Sequence, residues 1–119
     1  MEISAMSSIG DTLVIALTSA QLIMFDTVKK ETIYTNRNLT KTFIKQIKIC
    51  KTNSKHYMVC YTADSSLQLF SFPNPQFLDS IDSVQSFFIF EDGRVRTLYE
   101  NGVISFLRIK DGGQFEAVE

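Results

Sequence analysis

Residues 95–110 read VRTLYENGVISFLRIK and give the clearest local signal in the 119-residue chain. Two short runs that alternate between apolar and polar residues flank Asn101 and Gly102. Asn and Gly tolerate a positive φ at both central positions of a two-residue type I′ turn, whose twist matches that of paired strands. This stretch therefore predicts a β-hairpin closed by a type I′ turn at Asn101-Gly102.

A hairpin pattern of the same kind occurs twice earlier, at residues 14–26 and 59–71. The three patterns align on Phe25, Phe70 and Phe106, which we predict to lie in the core. Each interval between these Phe residues is near the roughly 40-residue period of four-stranded propeller blades. Two further apolar sets then fall in register: Leu22, Leu67 and Val103, and Val14, Val59 and Val95.

The rest of the chain fits three units of four strands, at about residues 2–35, 43–82 and 84–118. Polar stretches at 36–38 and 52–55 are predicted to be loops, because Asn and Ser favour turns. Residues 43–50 are ambiguous, since their apolar side chains suit either a half-buried strand or two helical turns. A strand is preferred, because Ile49 would lie on the wrong side of the helix.

The sequence therefore predicts an all-β fold: three four-stranded antiparallel blades of a partial, open β-propeller, in a single domain over residues 1–119. Another antiparallel sandwich or barrel is the alternative. Propellers usually have four to eight blades, so three blades would leave sheet surfaces uncovered. Uncovered apolar sheets promote association. We therefore expect further blades, or another chain, to complete the fold.

Charge is uneven along a chain whose net charge is only −1. Between Lys29 and Lys55 there are eight Lys or Arg residues and one acid. One interpretation is a solvated strand surface, and the other is a basic face for an acidic protein partner or for peripheral contact with anionic lipid. Interleaved stacking aromatics are lacking, so nucleic acid is not expected. The residues predicted for this face are Lys41, Lys45, Lys48 and Lys51.

No pattern in the sequence indicates catalysis, a metal or a cofactor. The single His56 leaves no base to activate a nucleophile. Cys50 and Cys60 lack the clustered ligands that a metal needs, and we expect them to be buried and reduced. Acidic pairs such as Asp79 and Asp82 fall in predicted turns, where such residues usually bond their own backbone. We therefore predict a non-enzymatic, cytoplasmic protein.

Three segments resemble the late blades of the lethal giant larvae and tomosyn family: IGDTLVIA at 9–16, LQLFSFPN at 67–74 and EDGRV at 91–95. Phe25-Asp26 also stands where WD repeats carry Trp-Asp. The family resemblance implies a cytoplasmic scaffold that binds plasma-membrane SNARE proteins in exocytosis and vesicle trafficking. It assigns no binding residue to this chain.

The predicted function is therefore that of a non-enzymatic scaffold for protein–protein interaction, with SNARE proteins as the partners that the resemblance implies. The alternative is a structural subunit, or a fragment, that completes the β-propeller of another chain in a larger complex. Strand addition would provide the contacts in that second case.

Overall fold

The computed structural model describes residues 2–53 and 55–118, and no helix in this part is long and apolar enough to cross a membrane. Ser54, within the loop predicted at 52–55, lies outside the described residues. The described residues form twelve strands: β1 (Ile3–Ile9), β2 (Thr12–Leu17), β3 (Leu22–Asp26), β4 (Glu31–Asn36), β5 (Ile44–Thr52), β6 (Lys55–Thr62), β7 (Leu67–Phe72), β8 (Phe77–Ile81), β9 (Val84–Ile89), β10 (Arg94–Tyr99), β11 (Ile104–Lys110) and β12 (Gln114–Ala117).

These strands form three four-stranded antiparallel sheets, each built from strands that are consecutive in the chain. We name them blade 1 (β1–β4), blade 2 (β5–β8) and blade 3 (β9–β12). The ambiguous segment at 43–50 is a strand, since β5 pairs with β6 along its length. The prediction of an all-β fold with three blades of a partial, open β-propeller is confirmed.

Two apolar cores hold the blades side by side. One core joins blade 1 to blade 2 and includes Val14, Leu22, Met58 and Phe70. The other joins blade 2 to blade 3, with Val59 and Leu69 on the blade 2 side. Blade 2 is therefore covered on both faces, which explains why β6 is apolar without alternation.

The predicted type I′ turn at Asn101-Gly102 is wrong. Gly102 has φ +88, whereas Asn101 is not among the residues with positive φ. The N–H of Gly102 donates to the carbonyl of Tyr99, and the N–H of Tyr99 donates to Val103. This is a three-residue loop, in which a type I turn is followed by one left-handed residue.

The same three-residue loop closes the central hairpin of the other two blades. Ala20 and Ser65 take the left-handed position there, with φ of 68° and 67°, and their N–H groups donate to Leu17 and Thr62. The loops therefore follow directly after Leu17, Thr62 and Tyr99, the last residues of β2, β6 and β10, and these three residues align the blades. The sequence predicts turns at both earlier positions, but not their left-handed residues, because neither loop contains Gly or Asn.

This alignment corrects the predicted register of blade 3 by one residue. The partner of Phe25 and Phe70 is Leu107, which is buried, whereas Phe106 is 55% exposed. A shift of one residue moves a side chain to the opposite face of a sheet. The prediction that Phe106 lies in the core is therefore wrong, and Arg96 takes the position that was predicted for Val95.

Each blade also closes on its own entry segment through one repeated hydrogen bond. The first loop residue after the second strand donates its N–H to the carbonyl just before the first strand. The three bonds are Thr18 to Glu2, Ala63 to Phe43 and Glu100 to Ser83, each 2.9 Å. The repeat is thus a property of the backbone and is largely independent of side chains.

Both cysteines are free and buried, as the sequence predicted. Burial raises the pKa of Cys50 to about 11 and also raises the pKa of Cys60. Since the thiolate is the reactive form, we expect both thiols to react with a thiol reagent at pH 8 about a hundredfold more slowly in the folded protein than in urea. Rapid labelling without denaturant would show that the cores between the blades are open.

Candidate partner-binding face

Blade 3 packs one face on blade 2, and no described residue covers the other. Cross-strand pairs share a face, so the register defines this surface. Its exposed apolar side chains are large: Phe88, Ile104 and Phe106 are 61%, 65% and 55% exposed. We call it the arginine–aromatic face, formed by the cross-strand rows Ser86, Leu98 and Ile104; Phe88, Arg96 and Phe106; and Arg94, Arg108 and Glu116.

Arg96 distinguishes this face from the surfaces between blades. It lies three residues before the last residue of β10, as Val14 and Val59 do in β2 and β6. Those valines are 0% and 1% exposed at the centres of the two cores. Burying an unpaired guanidinium under an apolar sheet costs several kcal/mol, so this face is unsuited to a further apolar blade.

Aromatic rings hold the arginine side chains in place. The guanidinium carbon of Arg96 lies 5.0 Å from the ring centre of Phe106 and 5.4 Å from that of Phe90. Arg94 lies 4.3 Å from the Phe90 ring. A guanidinium held over an aromatic ring keeps its N–H donors in its own plane, where a carboxylate can accept two bonds. The face therefore offers fixed donors for an acidic side chain.

Two shallow cavities lie beside Arg96. One, of about 390 Å³, is lined by Arg94, Phe106, Arg108 and Val118. The other, of about 240 Å³, lies over Phe88, Leu98 and Ile104. Apolar side chains of a partner fit such cavities while its carboxylates meet the arginines.

A third cavity, of about 410 Å³, lies between blades 2 and 3 and shares Arg94 and Arg108 with the arginine–aromatic face. Its acids are already engaged: Arg94 Nε lies 2.9 Å from Asp92, and Asn53 Nδ2 donates to Asp111. The pKa of Asp92 is lowered by hydrogen bonds from the Arg94 backbone N–H and side chain. Within the described residues, Lys51 and Lys110 form no ion pair and leave this cavity basic.

The four predicted lysines do not line one cavity. Lys41 is exposed between β4 and β5, and Lys45 Nζ lies 5.6 Å from the Tyr61 ring centre. Lys48 lines a separate cavity of about 250 Å³ against Phe87 and Phe88. Lys51 alone lies in the cavity beside Asp92 and Arg94. A role for these lysines in binding a partner stays a prediction.

Sequence reasoning missed the three arginines of the blade 3 surface. The signal was present, because Arg94 and Arg96 alternate with Val95 along β10. The one-residue register error placed Val95 on the wrong face and hid this alternation. The position of the loop, which depends on backbone geometry, was needed to correct it.

The described residues bring together no group of three or more His, Cys, Asp or Glu side chains that could hold a metal.

The open stack of antiparallel blades defines the class of protein as propeller-like. No family model matches the chain, and no curated protein matches it either.

Solved structures of this class are similar to the chain. The computationally designed proteins Ika4 and Ika8 have TM-scores of 0.69 and 0.68, each at 14% identity. BamB from Moraxella catarrhalis, a β-propeller, has a TM-score of 0.67 at 11% identity. They cover 97%, 96% and 98% of this chain, which spans 76% of Ika4, 38% of Ika8 and 37% of BamB. At these identities the likeness shows the fold alone.

Proposed function

We propose that the protein is a non-enzymatic scaffold for protein–protein interaction, and that the arginine–aromatic face is its docking surface. The observation that carries this proposal is Arg96, a charged residue at the position where the other two blades bury a valine. The partner is a protein segment that carries acidic and apolar side chains together. Arginine and aromatic residues are the types that dominate binding energy at interfaces.

The family resemblance extends this proposal to a particular setting. Coiled-coil segments place apolar residues beside charged ones, which is the combination that the arginine–aromatic face accepts. We propose plasma-membrane SNARE proteins as partners, with a role in exocytosis and vesicle trafficking in the cytoplasm. The support for this finer proposal is the lethal giant larvae-like segments at 9–16, 67–74 and 91–95, together with the WD-like pair Phe25-Asp26.

Replacing Arg96 with glutamate tests the docking surface. We expect the R96E variant to bind an amphipathic Leu/Glu peptide at least about tenfold more weakly, because a donor becomes a repelling carboxylate. Fluorescence anisotropy with the labelled peptide measures the affinity. The matched control is R37E, which makes the same charge change at an exposed position outside the blades.

Equal weakening by R96E and R37E would mean that binding follows net charge alone, and would contradict the proposed face. So would equal affinity for a Leu/Lys peptide of the same pattern. For the finer proposal, the purified cytoplasmic segment of a plasma-membrane SNARE protein replaces the peptide. Failure of that segment to bind, with the Leu/Glu peptide still bound, would reject the SNARE partner and leave the docking surface intact.

A further inference from the structure

Blade 1 also has a surface that no described residue covers. Its opposite surface, with Val14 and Met24, lies in the core against blade 2. On the uncovered side, Met6 pairs with Ile15, and Ile15 pairs with Ile23. Ile3 and Met6 are 57% and 56% exposed. We call this surface the aliphatic face; it consists of Ile3, Met6, Leu13, Ile15, Leu17, Ile23 and Phe25.

The aliphatic face is the counterpart of surfaces that a sheet covers elsewhere in the same chain. Leu13 lies four residues before the last residue of β2, as Met58 and Val95 do in β6 and β10. Both of those residues are 0% exposed beneath the preceding blade. Phe25 corresponds in the same way to Phe70, which is also 0% exposed. The same side of the sheet is therefore covered by another sheet in both other blades.

Charge indicates which sheet covers it. None of the seven residues of the aliphatic face is charged, so two copies of it meet without repulsion. The other uncovered surface, on blade 3, carries Arg94, Arg96 and Arg108. Placing that surface on the aliphatic face would bury guanidinium groups against aliphatic side chains, which is costly.

We propose that two copies of this chain associate through their aliphatic faces, in a two-fold symmetric, sheet-on-sheet dimer. Two-fold interfaces bring the same patch of each subunit together and are the commonest kind in soluble oligomers. The two arginine–aromatic faces then lie on surfaces that the contact leaves free. This inference does not depend on what those faces bind.

Disulfide trapping tests the contact without disturbing the core. Ser8 is exposed and pairs with Leu13 on the aliphatic face, whereas Ser86 is exposed on the arginine–aromatic face. We expect the Ser8→Cys variant to form a covalent dimer on mild oxidation and the Ser86→Cys variant to stay monomeric. The two native cysteines are buried, so the unsubstituted chain is the background control. Crosslinking through Ser86→Cys instead would overturn the proposal.

Light scattering after size exclusion provides the second measurement. The unsubstituted chain is expected to have twice the 13.5 kDa chain mass. Ile15→Arg and Ile15→Glu should each be monomeric, and an equimolar mixture of the two should restore the dimer. Ile104→Arg, on the arginine–aromatic face, should remain dimeric. A monomeric unsubstituted chain at about 100 µM, well above a micromolar Kd, would overturn the proposal, as would a monomeric Ile104→Arg variant.

Discussion

Replacing Phe70 with alanine is expected to lower the free energy of unfolding by about 3–5 kcal/mol, the usual cost of truncating a buried Phe. Its ring is fully buried in the core between blades 1 and 2 and lies 6.0 Å from the Phe77 ring. Blades 1 and 3 both pack against blade 2, so a cavity in blade 2 would weaken the sheet on which the other two blades depend. Urea denaturation followed by far-UV circular dichroism measures the change.

Phe106→Ala is the matched control, since the same truncation at a residue that is 55% exposed should cost less than about 1 kcal/mol. These two residues were equivalent in the sequence alignment and are on different faces in the structure. Equal losses at the two positions would contradict the register assigned to blade 3.

Gly93→Ala is expected to destabilise the protein by about 2–4 kcal/mol, from backbone strain and overpacking together. Gly93 has φ +92, where a side chain is disfavoured. A Cβ atom there would lie 2.6 Å from the Thr52 Cγ2 atom, which belongs to the neighbouring blade. Thr52 is 7% exposed and has little room to move. The substitution therefore pushes blades 2 and 3 apart.

Gly102→Ala separates the two causes of that loss. Gly102 has a nearly identical φ of +88, and a Cβ there would meet no atom within 4 Å. We expect Gly102→Ala to lower the free energy of unfolding by about 1 kcal/mol, from backbone strain alone. The difference between the two variants in thermal denaturation then reports the close approach of the blades. If Gly93→Ala and Gly102→Ala lower the stability by the same amount, the contact between Gly93 and Thr52 is not tight.

Local patterns in the sequence predicted the strands and the grouping of four strands to a sheet. Short alternating runs and polar turns depend on neighbouring residues, so β5 and the doubly buried β6 could be identified without coordinates. Which face of each sheet is covered depends instead on register between strands. That register rests on loop geometry at Ala20, Ser65 and Gly102, of which only the glycine has a recognisable signature.

The arginine–aromatic face could not be predicted from the sequence for a related reason. The lysines of residues 41–51 predict a basic face because they cluster in the sequence. Arg94 and Arg96, with Phe106, are brought together by pairing between strands. Sequence density of charge says little about which side chains share a face, since alternate residues of a strand point in opposite directions.

The bond from each hairpin loop to the carbonyl before the first strand, as between Ala63 and Phe43, uses backbone groups alone. A tandem duplication of one blade would therefore carry its own means of closure, whatever its side chains. Such a copy would still need an apolar surface to pack against, because each core of this chain is shared between two blades. The architecture is thus open to growth by copying, but a copy placed on the arginine–aromatic face would bury guanidinium groups, which is costly.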